Sequence, residues 1–424
     1  MSVISDLLGG VKIPEMVSIK QKFDGTHIPE EEIPQVIFGQ LEREEIAKKI
    51  QPGMEIAITA GSRGIANIPL IIKSAADFVK SRGAVPFVVP AMGSHGGATA
   101  EGQRQVIEGY GVTEEFIGCE IRSSMETVQI GITPNGKPVR IDKNACESDG
   151  IIVCGRVKPH TGFRGPYESG IMKMMAIGLG KQFGAEIIHA DGFGKFEEYI
   201  PMFGTVILNN SPVICGLALL ENAYDQTREI VSLTPEEIIS KEPELLMRAK
   251  SYMPRILFDS CDVLIVDQMG KNISGDGMDP NISGRFPTPF AEGGINAQRV
   301  AVLELTEESH GNACGIGLAD ITTRRLFEKM ILEQTYPNAI TNTVVGEMKI
   351  PMIMESDKLA IQAAIKSCIE INHEEPRIVR IHNTMEMERI DISKALLEEA
   401  GNNSSIEIMG EPAPLAFDEK DNLF

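Results

Sequence analysis

The chain has 424 residues, 42% of them hydrophobic, and a formal net charge of −20. That length predicts two domains with sizeable cores, and the acidic balance disfavours nucleic-acid binding. The seven cysteines stand singly with no CxxC, which argues against an iron–sulfur or zinc-ribbon site and against a full disulfide framework.

No apolar run approaches the ~20 residues of a membrane helix. Met1 to Met16 shows no basic segment followed by an apolar one, so no secretory signal is expected and the cytoplasm is the natural compartment. An anionic substrate on so acidic a chain needs a local basic cluster. Arg156, Lys158, Arg164, Lys173 and Lys181 supply one.

Residues up to about Lys49 read as an arm with an acidic turn, Pro29 to Glu32, a short amphipathic helix, Leu41 to Ile50, and a surface histidine, His27. Met54 to Thr59 reads as a buried strand. It enters the turn AGSRGIANIP, then a helix over Leu70 to Ser81 and a second strand over Val85 to Val89. This βαβ rhythm predicts a parallel sheet, with ligands beyond the carboxyl ends of its strands. Ser62, Arg63 and Gly64 lie at such an end, where backbone amides and a planar guanidinium suit an anion.

The second strand runs into PAMGSHGGATAEGQ, with Thr99 starting a helix. Its histidine, His95, is flanked by glycines that fill no space, which favours an exposed imidazole suited to proton transfer. Met125 to Val139 reads as a hairpin turned at Asn-Gly. A strand over Gly150 to Cys154 then leads into GRVKPHTGFRGPYESGIMKMMAIGLGKQFGAEIIH. Here His160 and Arg164 lie in a glycine-studded loop. Lys173 sits among methionines and isoleucines, and His189 follows sixteen residues later. Apolar surroundings push a lysine toward its nucleophilic form. A lysine snorkelling from a helix beside a core histidine would give the same local pattern.

Gly192 to Phe203 holds a short helix, Val213 to Leu220 a buried strand, and Leu233 to Tyr252 a helix capped by Thr234. A boundary near Pro254 divides the chain into residues 1–254 and 255–424. Cys261 onward begins a second α/β pattern, with Gln268, Lys271, Asp276 and Asp279 in its first loop. The DGMDPN run there lacks the regular ligands of a calcium loop. A strand over Arg299 to Leu305 leads to His310 among glycines. Helices follow over Thr323 to Glu333 and Lys358 to Ile371, with strands near Ile353, Ile378 to Ile381 and Ser405 to Met409, and a loosely packed acidic tail. Three histidines, a sequestered lysine and Arg63 thus gather on strand-end loops. A metal site, an acid/base pair, or both would use them.

Two segments carry a resemblance. GSHGGATAEG, Gly93 to Gly102, looks like the Gly-x-His loop of the nickel-pincer lactate racemase family. VKPHTGFRGPYESGIMKMM resembles that family's next segment, in which a histidine is followed by the lysine. The resemblance covers roughly residues 10–220. It implies two α/β domains with parallel or mixed sheets and an active site in the cleft between them. It further implies racemisation or epimerisation of an α-hydroxy acid by reversible hydride transfer.

The cofactor implied is nickel held by a pyridinium-thioamide-thiocarboxylate mononucleotide, the nickel-pincer nucleotide, supplied by cofactor-biosynthesis proteins. Carried over, Lys173 is the tether, His189 the nickel ligand, and His95 and His160 the acid/base pair. Ser62, Arg63 and Gly64 would meet the cofactor. The family's second-domain substrate motif is not recognisable here; Gln268, Lys271, Arg164 and His310 are the candidates for meeting the substrate.

The family's Asp-x-Thr-Arg-Pro motif is replaced here by AGSRGIANIP, and SGIMK stands for Ser-Gly-Gly-x-Lys. These departures imply a substrate larger or more polar than lactate, such as a sugar acid or a malate-like diacid. A cofactor-free relative that binds a small anion, or acts as a hydrolase or lyase, is the alternative. The expected partners are a small anionic hydroxy acid and the maturation proteins, with no nucleic acid and no membrane; a homo-oligomer is allowed.

Overall fold

The computed structural model describes residues 3–62 and 64–424. The chain forms two compact units. One comprises Asp24–Met253, the other Met1–Phe23 with Pro254–Phe424.

The Asp24–Met253 unit is built on a six-stranded sheet. Its strands are β1 (Glu55–Ala60), β2 (Val85–Pro90), β3 (Glu120–Ile121), β4 (Gly150–Arg156), β5 (Val213–Glu221) and β6 (Thr227–Leu233), in the spatial order β3-β2-β1-β4-β5-β6. All neighbours are parallel except β5 and β6. Both faces are covered, so the central strands are apolar throughout rather than alternating. Ala57, Phe87, Ile151 and Val153 face one core. Ile56, Ile58, Val88 and Ile152 face the other.

Helix α1 (Ile68–Ser81) buries Ile68, Ile71, Ile72, Ala75, Ala76 and Val79, a helical repeat that closes the second core. The Asn-Gly hairpin forms as an antiparallel pair, Thr127–Ile132 with Pro138–Asp142. The order of strands reverses between β1 and β4. The carboxyl ends around that point are where ligands bind in open α/β sheets.

The arm is less solvated than its charge suggests. A helix over Ile33–Leu41 and a short one over Glu44–Ala47 replace the single helix expected at Leu41 to Ile50. Ile33, Ile37, Leu41, Ile46 and Ile50 are fully buried.

The other unit holds an eight-stranded sheet. Met352–Met354, Ile321–Thr323, Asn296–Leu305, Ser260–Met269 and Ile378–Ile381 run parallel, and Arg389–Ser393, Met16–Gln21 and Ile406–Ile408 extend it antiparallel.

The division at 254/255 is therefore corrected at the amino end. Met16–Gln21 pairs with strands from the far end of the chain, because its apolar alternation needs a sheet to cover it. The helix expected over Thr323 to Glu333 is two helices, Arg324–Lys329 and Leu332–Asn342. The tail is not loose. Leu415, Phe417 and Leu423 pack on a core cluster, and Arg325 lies 4.4 Å over the Phe424 ring.

Candidate active site

Three loops leave the carboxyl ends of β1, β2 and β4. The first carries Ser62 and the exposed Gly64; Arg63 lies outside the described residues. The second carries His95, also exposed. The Ser62 hydroxyl is in a short hydrogen bond with His95 Nδ1, and the Tyr110 hydroxyl donates to the Ser62 carbonyl at 3.0 Å. Ser62 thus holds an imidazole. Helix α2 (Ala100–Gly109) follows, capped as expected by Thr99, whose side chain accepts from the Gly102 N–H at 3.0 Å.

The third loop carries His160. Its ring accepts at Nδ1 from the Gly162 N–H at 2.9 Å, so the neutral ring bears its proton on Nε2. Its own N–H donates to Glu168 at 2.7 Å. Glu168 is 1% exposed and also takes hydrogen bonds from Arg164 at 3.3 Å and Lys250 at 2.6 Å. Arg164 donates further to the His160 carbonyl at 2.6 Å. This carboxylate orders the loop. It carries no local signal in the sequence, since Lys250 lies 82 residues away.

Lys173 is half-buried. It ends the short helix Ile171–Lys173, which runs directly into a π-helical turn, Met174–Leu179. Such turns insert a residue into a helix and recur at functional sites. Helix α3 (Lys181–His189) then ends on His189. His189 Nδ1 donates to the Ala185 carbonyl at 2.7 Å, which leaves the Nε2 lone pair to a ligand. Burial lowers its pKa, and the positive charge of Lys173 lowers it further. Both effects favour the neutral ring, the form in which an imidazole can act as a ligand.

Two aromatic rings join the histidines. Phe193 lies 5.8 Å from both His160 and His189, and Phe196, on α4 (Phe196–Asn210), lies 4.9 Å from His189. The His95 loop meets the same segment from its other side. The Gly93 N–H donates to the Gly178 carbonyl at 3.2 Å, and a Cβ on Gly93 would touch Ile177 at 3.2 Å and Ala185 at 3.5 Å. Within this unit, Ser62 thus meets His95, the His95 loop meets the segment between Lys173 and His189, and Phe193 lies beside both His160 and His189.

The basic cluster is corrected. Lys181 is fully buried and bridges to Asp142 at 3.1 Å. Arg156 is paired with Glu221, and Arg164 with Glu168. These three charges are spent inside the fold because each lies beside a buried or half-buried carboxylate. Glu242 is a further residue the loop motifs did not reveal. It lies on α5 (Pro235–Tyr252) and is 1% exposed. Only its helical spacing with Ile238, Leu245, Leu246 and Ala249 marks it as inward-facing.

In the other unit, Gln268 lies near the end of Ser260–Met269, where its N–H donates to the His382 carbonyl at 2.8 Å. Lys271 follows in the next loop. Its ammonium donates to the Gly275 carbonyl at 2.5 Å and its N–H to Ser309 at 2.8 Å, which ties it to the loop of the exposed His310. Asp276, Cys314 and Glu347 are all buried there with ligand atoms within 4.8 Å of one another. The Cys314 thiol donates to Glu347, whose pKa is pushed up to about 7 by burial first and by Asp276 next.

The fold is a two-unit α/β architecture, and among the described residues no helix is long and apolar enough to cross a membrane. Residues 13–190 match the family model of the lactate racemase N-terminal domain, and that match supports a racemase-like activity. No curated protein matches the chain. Among solved structures, the lactate racemase apoprotein of Thermoanaerobacterium thermosaccharolyticum shares the fold, with a TM-score of 0.50 and 13% identity over 87% of this chain and 99% of that one. A protein of Thermotoga maritima aligns with a TM-score of 0.49 and 13% identity over 66% of this chain and 71% of that one.

Proposed function

We propose that the chain racemises or epimerises an α-hydroxy acid, using a nickel-pincer nucleotide tethered to Lys173 with His189 as its nickel ligand. The observation that supports this most is His189. Its surroundings favour the neutral ring, its Nδ1 proton is fixed on Ala185 and its Nε2 is left to a ligand, with the Lys173 charge in electrostatic reach. These residues fit the group. When bound, the pyridinium nucleotide supplies a hydride acceptor and donor.

The chain's own residues move the proton. His160, with Nδ1 accepting from the Gly162 N–H, carries its proton on Nε2 in the neutral ring and is assigned the acid role. His95 meets a hydroxyl, which both donates and accepts, so either tautomer is held by Ser62. That makes His95 the group able to take up the hydroxyl proton. The aromatic wall of Phe163, Phe193 and Phe196 beside His160 and His189 keeps water from the reacting centre.

The test is intact mass, under gentle conditions, of chain co-expressed with the cofactor-biosynthesis proteins, with nickel quantified on the same sample. A pincer-nucleotide increment that is absent from Lys173→Ala, with about one nickel per chain, is the expected result. An unmodified, nickel-free chain under conditions that load a known family member would overturn the reading. The substrate is proposed to be larger or more polar than lactate. Turnover on lactate, malate and gluconate checks this, and lactate as the best substrate would refute it.

A further inference from the structure

The His95 loop is attached to the rest of the unit by a buried polar junction that no loop motif reveals. Gln103, on α2, is 0% exposed. Its amide donates to the Gly93 carbonyl at 2.8 Å and to the His95 carbonyl at 3.2 Å. Both amide hydrogens are thus used on the backbone of one loop, on either side of Ser94. The amide oxygen accepts from the Lys181 ammonium at 3.1 Å.

Lys181 is the first residue of α3, the helix that ends on His189, and it is also 0% exposed. Its other partners are the Pro90 carbonyl at the end of β2, at 2.5 Å, and Asp142 at 3.1 Å. The ammonium makes two hydrogen bonds, to the Pro90 carbonyl and to Gln103, while its charge faces the Asp142 carboxylate. Moving either side chain would strand buried polar groups, at a cost of roughly 1–3 kcal/mol.

Two glycines close the junction. A Cβ on Gly96 would lie 2.6 Å from the Gln103 nitrogen, and one on Gly102 would lie 2.0 Å from the Gly96 carbonyl oxygen. The loop therefore lies directly on the first turn of α2, where Gln103 reaches it.

We propose that Gln103, braced by Lys181, is a positioning residue for His95: it fixes the backbone of the His95 loop against the helix that carries His189. The proposal rests on the reading of His95 as an acid/base group and of His189 as the nickel ligand. Its structural part is independent of that reading, because the junction is made by protein groups alone. The role of Gln103 is indirect. It acts through the two carbonyls that set where the imaginary line from Ser62 to the His95 ring must fall.

The discriminating variant is Gln103→Glu. A carboxylate keeps the acceptor for Lys181, so a residue that merely satisfied the buried ammonium would be replaced without loss. It removes both N–H donors, so a residue that positions the loop would not. Gln103→Leu removes all three bonds and serves as the second variant.

The readout is NMR of the full chain, without cofactor, with isotope-labelled histidines assigned through His95→Gln and His160→Gln. The expected result for Gln103→Glu is a shifted or exchange-broadened His95 signal with an altered titration, an unmoved His160 signal, and a cooperative melting transition lowered by the loss of two buried hydrogen bonds. In cofactor-loaded chain the same variant is expected to lower kcat by about 10- to 100-fold with little change in KM, the size of effect that misplacing a catalytic group produces. Wild-type His95 signals in Gln103→Glu would overturn the proposal.

The two readings fail separately. A chain that never loads cofactor, but whose His95 signal moves in Gln103→Glu, refutes the racemase reading and upholds the junction. An active, loaded chain whose kcat and His95 signals ignore the substitution refutes the junction alone.

Discussion

Glu242 accepts a hydrogen bond from the Met172 N–H at 3.0 Å, one residue before the candidate tether Lys173. The carboxyl is fully buried and its pKa is pushed up to about 8 by desolvation, against which the amides of Met172 and Ile171 pull it down. The native state therefore holds a proton that the unfolded chain releases near its ordinary value of 4.5. Between these values the folded state binds more protons, so stability falls as pH rises. The contribution is present in full below the unfolded pKa and is lost as pH climbs through about 8. Melting temperatures measured from about pH 5 to about pH 9 are expected to fall more steeply for the parent than for Glu242→Gln, which has no proton to lose. Parallel curves would refute this assignment.

Gly170 and Glu242 share one small space. A Cβ at Gly170 would lie 2.0 Å from Glu242 Oε1 and 3.4 Å from Val157. Gly170→Ala is therefore expected to destabilise the unit by about 1–3 kcal/mol, the usual result of overpacking. Truncating Glu242 vacates the space. A double-mutant cycle in denaturant should show Gly170→Ala costing less in a Glu242→Ala background, and additive costs would mean that the two do not meet.

Much of the fold is legible along the chain because its signals are local. The βαβ rhythm, the Thr234 capping box and the Asn-Gly hairpin each lie within a few residues. His95 stands out for the same reason, since the glycines beside it carry no side chain that would make it part of a core. What escapes is whatever depends on distant partners. Met16–Gln21 reads as an arm because its neighbouring strand is remote; Ser18 and Asp391, which are hydrogen-bonded at 2.5 Å, are 373 residues apart. Glu168, Gln103 and Glu242 look like ordinary surface polar residues until the groups they satisfy are folded against them. Lys181 misleads in the opposite sense. By position it joins a basic cluster, and only Asp142 on the neighbouring hairpin draws it inside.

Ser62 and His95 give a direct test of the acid/base reading. Ser62→Ala removes the hydroxyl that holds the ring at Nδ1. A lost hydrogen bond of roughly 1–1.5 kcal/mol corresponds to about a tenfold fall in kcat if the ring orientation is needed in the transition state. Loading of nickel, which the proposed reading assigns to His189, should be unaffected. A Ser62→Ala chain with normal turnover would show that His95 needs no partner, and one that fails to load would return Ser62 to a cofactor-binding role.

The fate of Lys181 separates a structural charge from a substrate-binding one. Its ammonium and the Asp142 carboxylate are both 0% exposed and 3.1 Å apart. Burial lowers the lysine pKa and raises that of the aspartate, while each partner's charge opposes the shift. Lys181→Met leaves Asp142 without its compensating charge, and breaking a buried pair in this way costs about 3–5 kcal/mol. Removing both partners, as in Lys181→Met with Asp142→Leu, strands no charge and should recover part of that loss, while the Pro90 carbonyl, the Gln103 amide oxygen and the Ala145 N–H stay unpaired. Chemical denaturation measures both variants. A lysine kept for an anionic substrate would behave differently: its loss would raise KM at unchanged stability, and the second substitution would restore nothing.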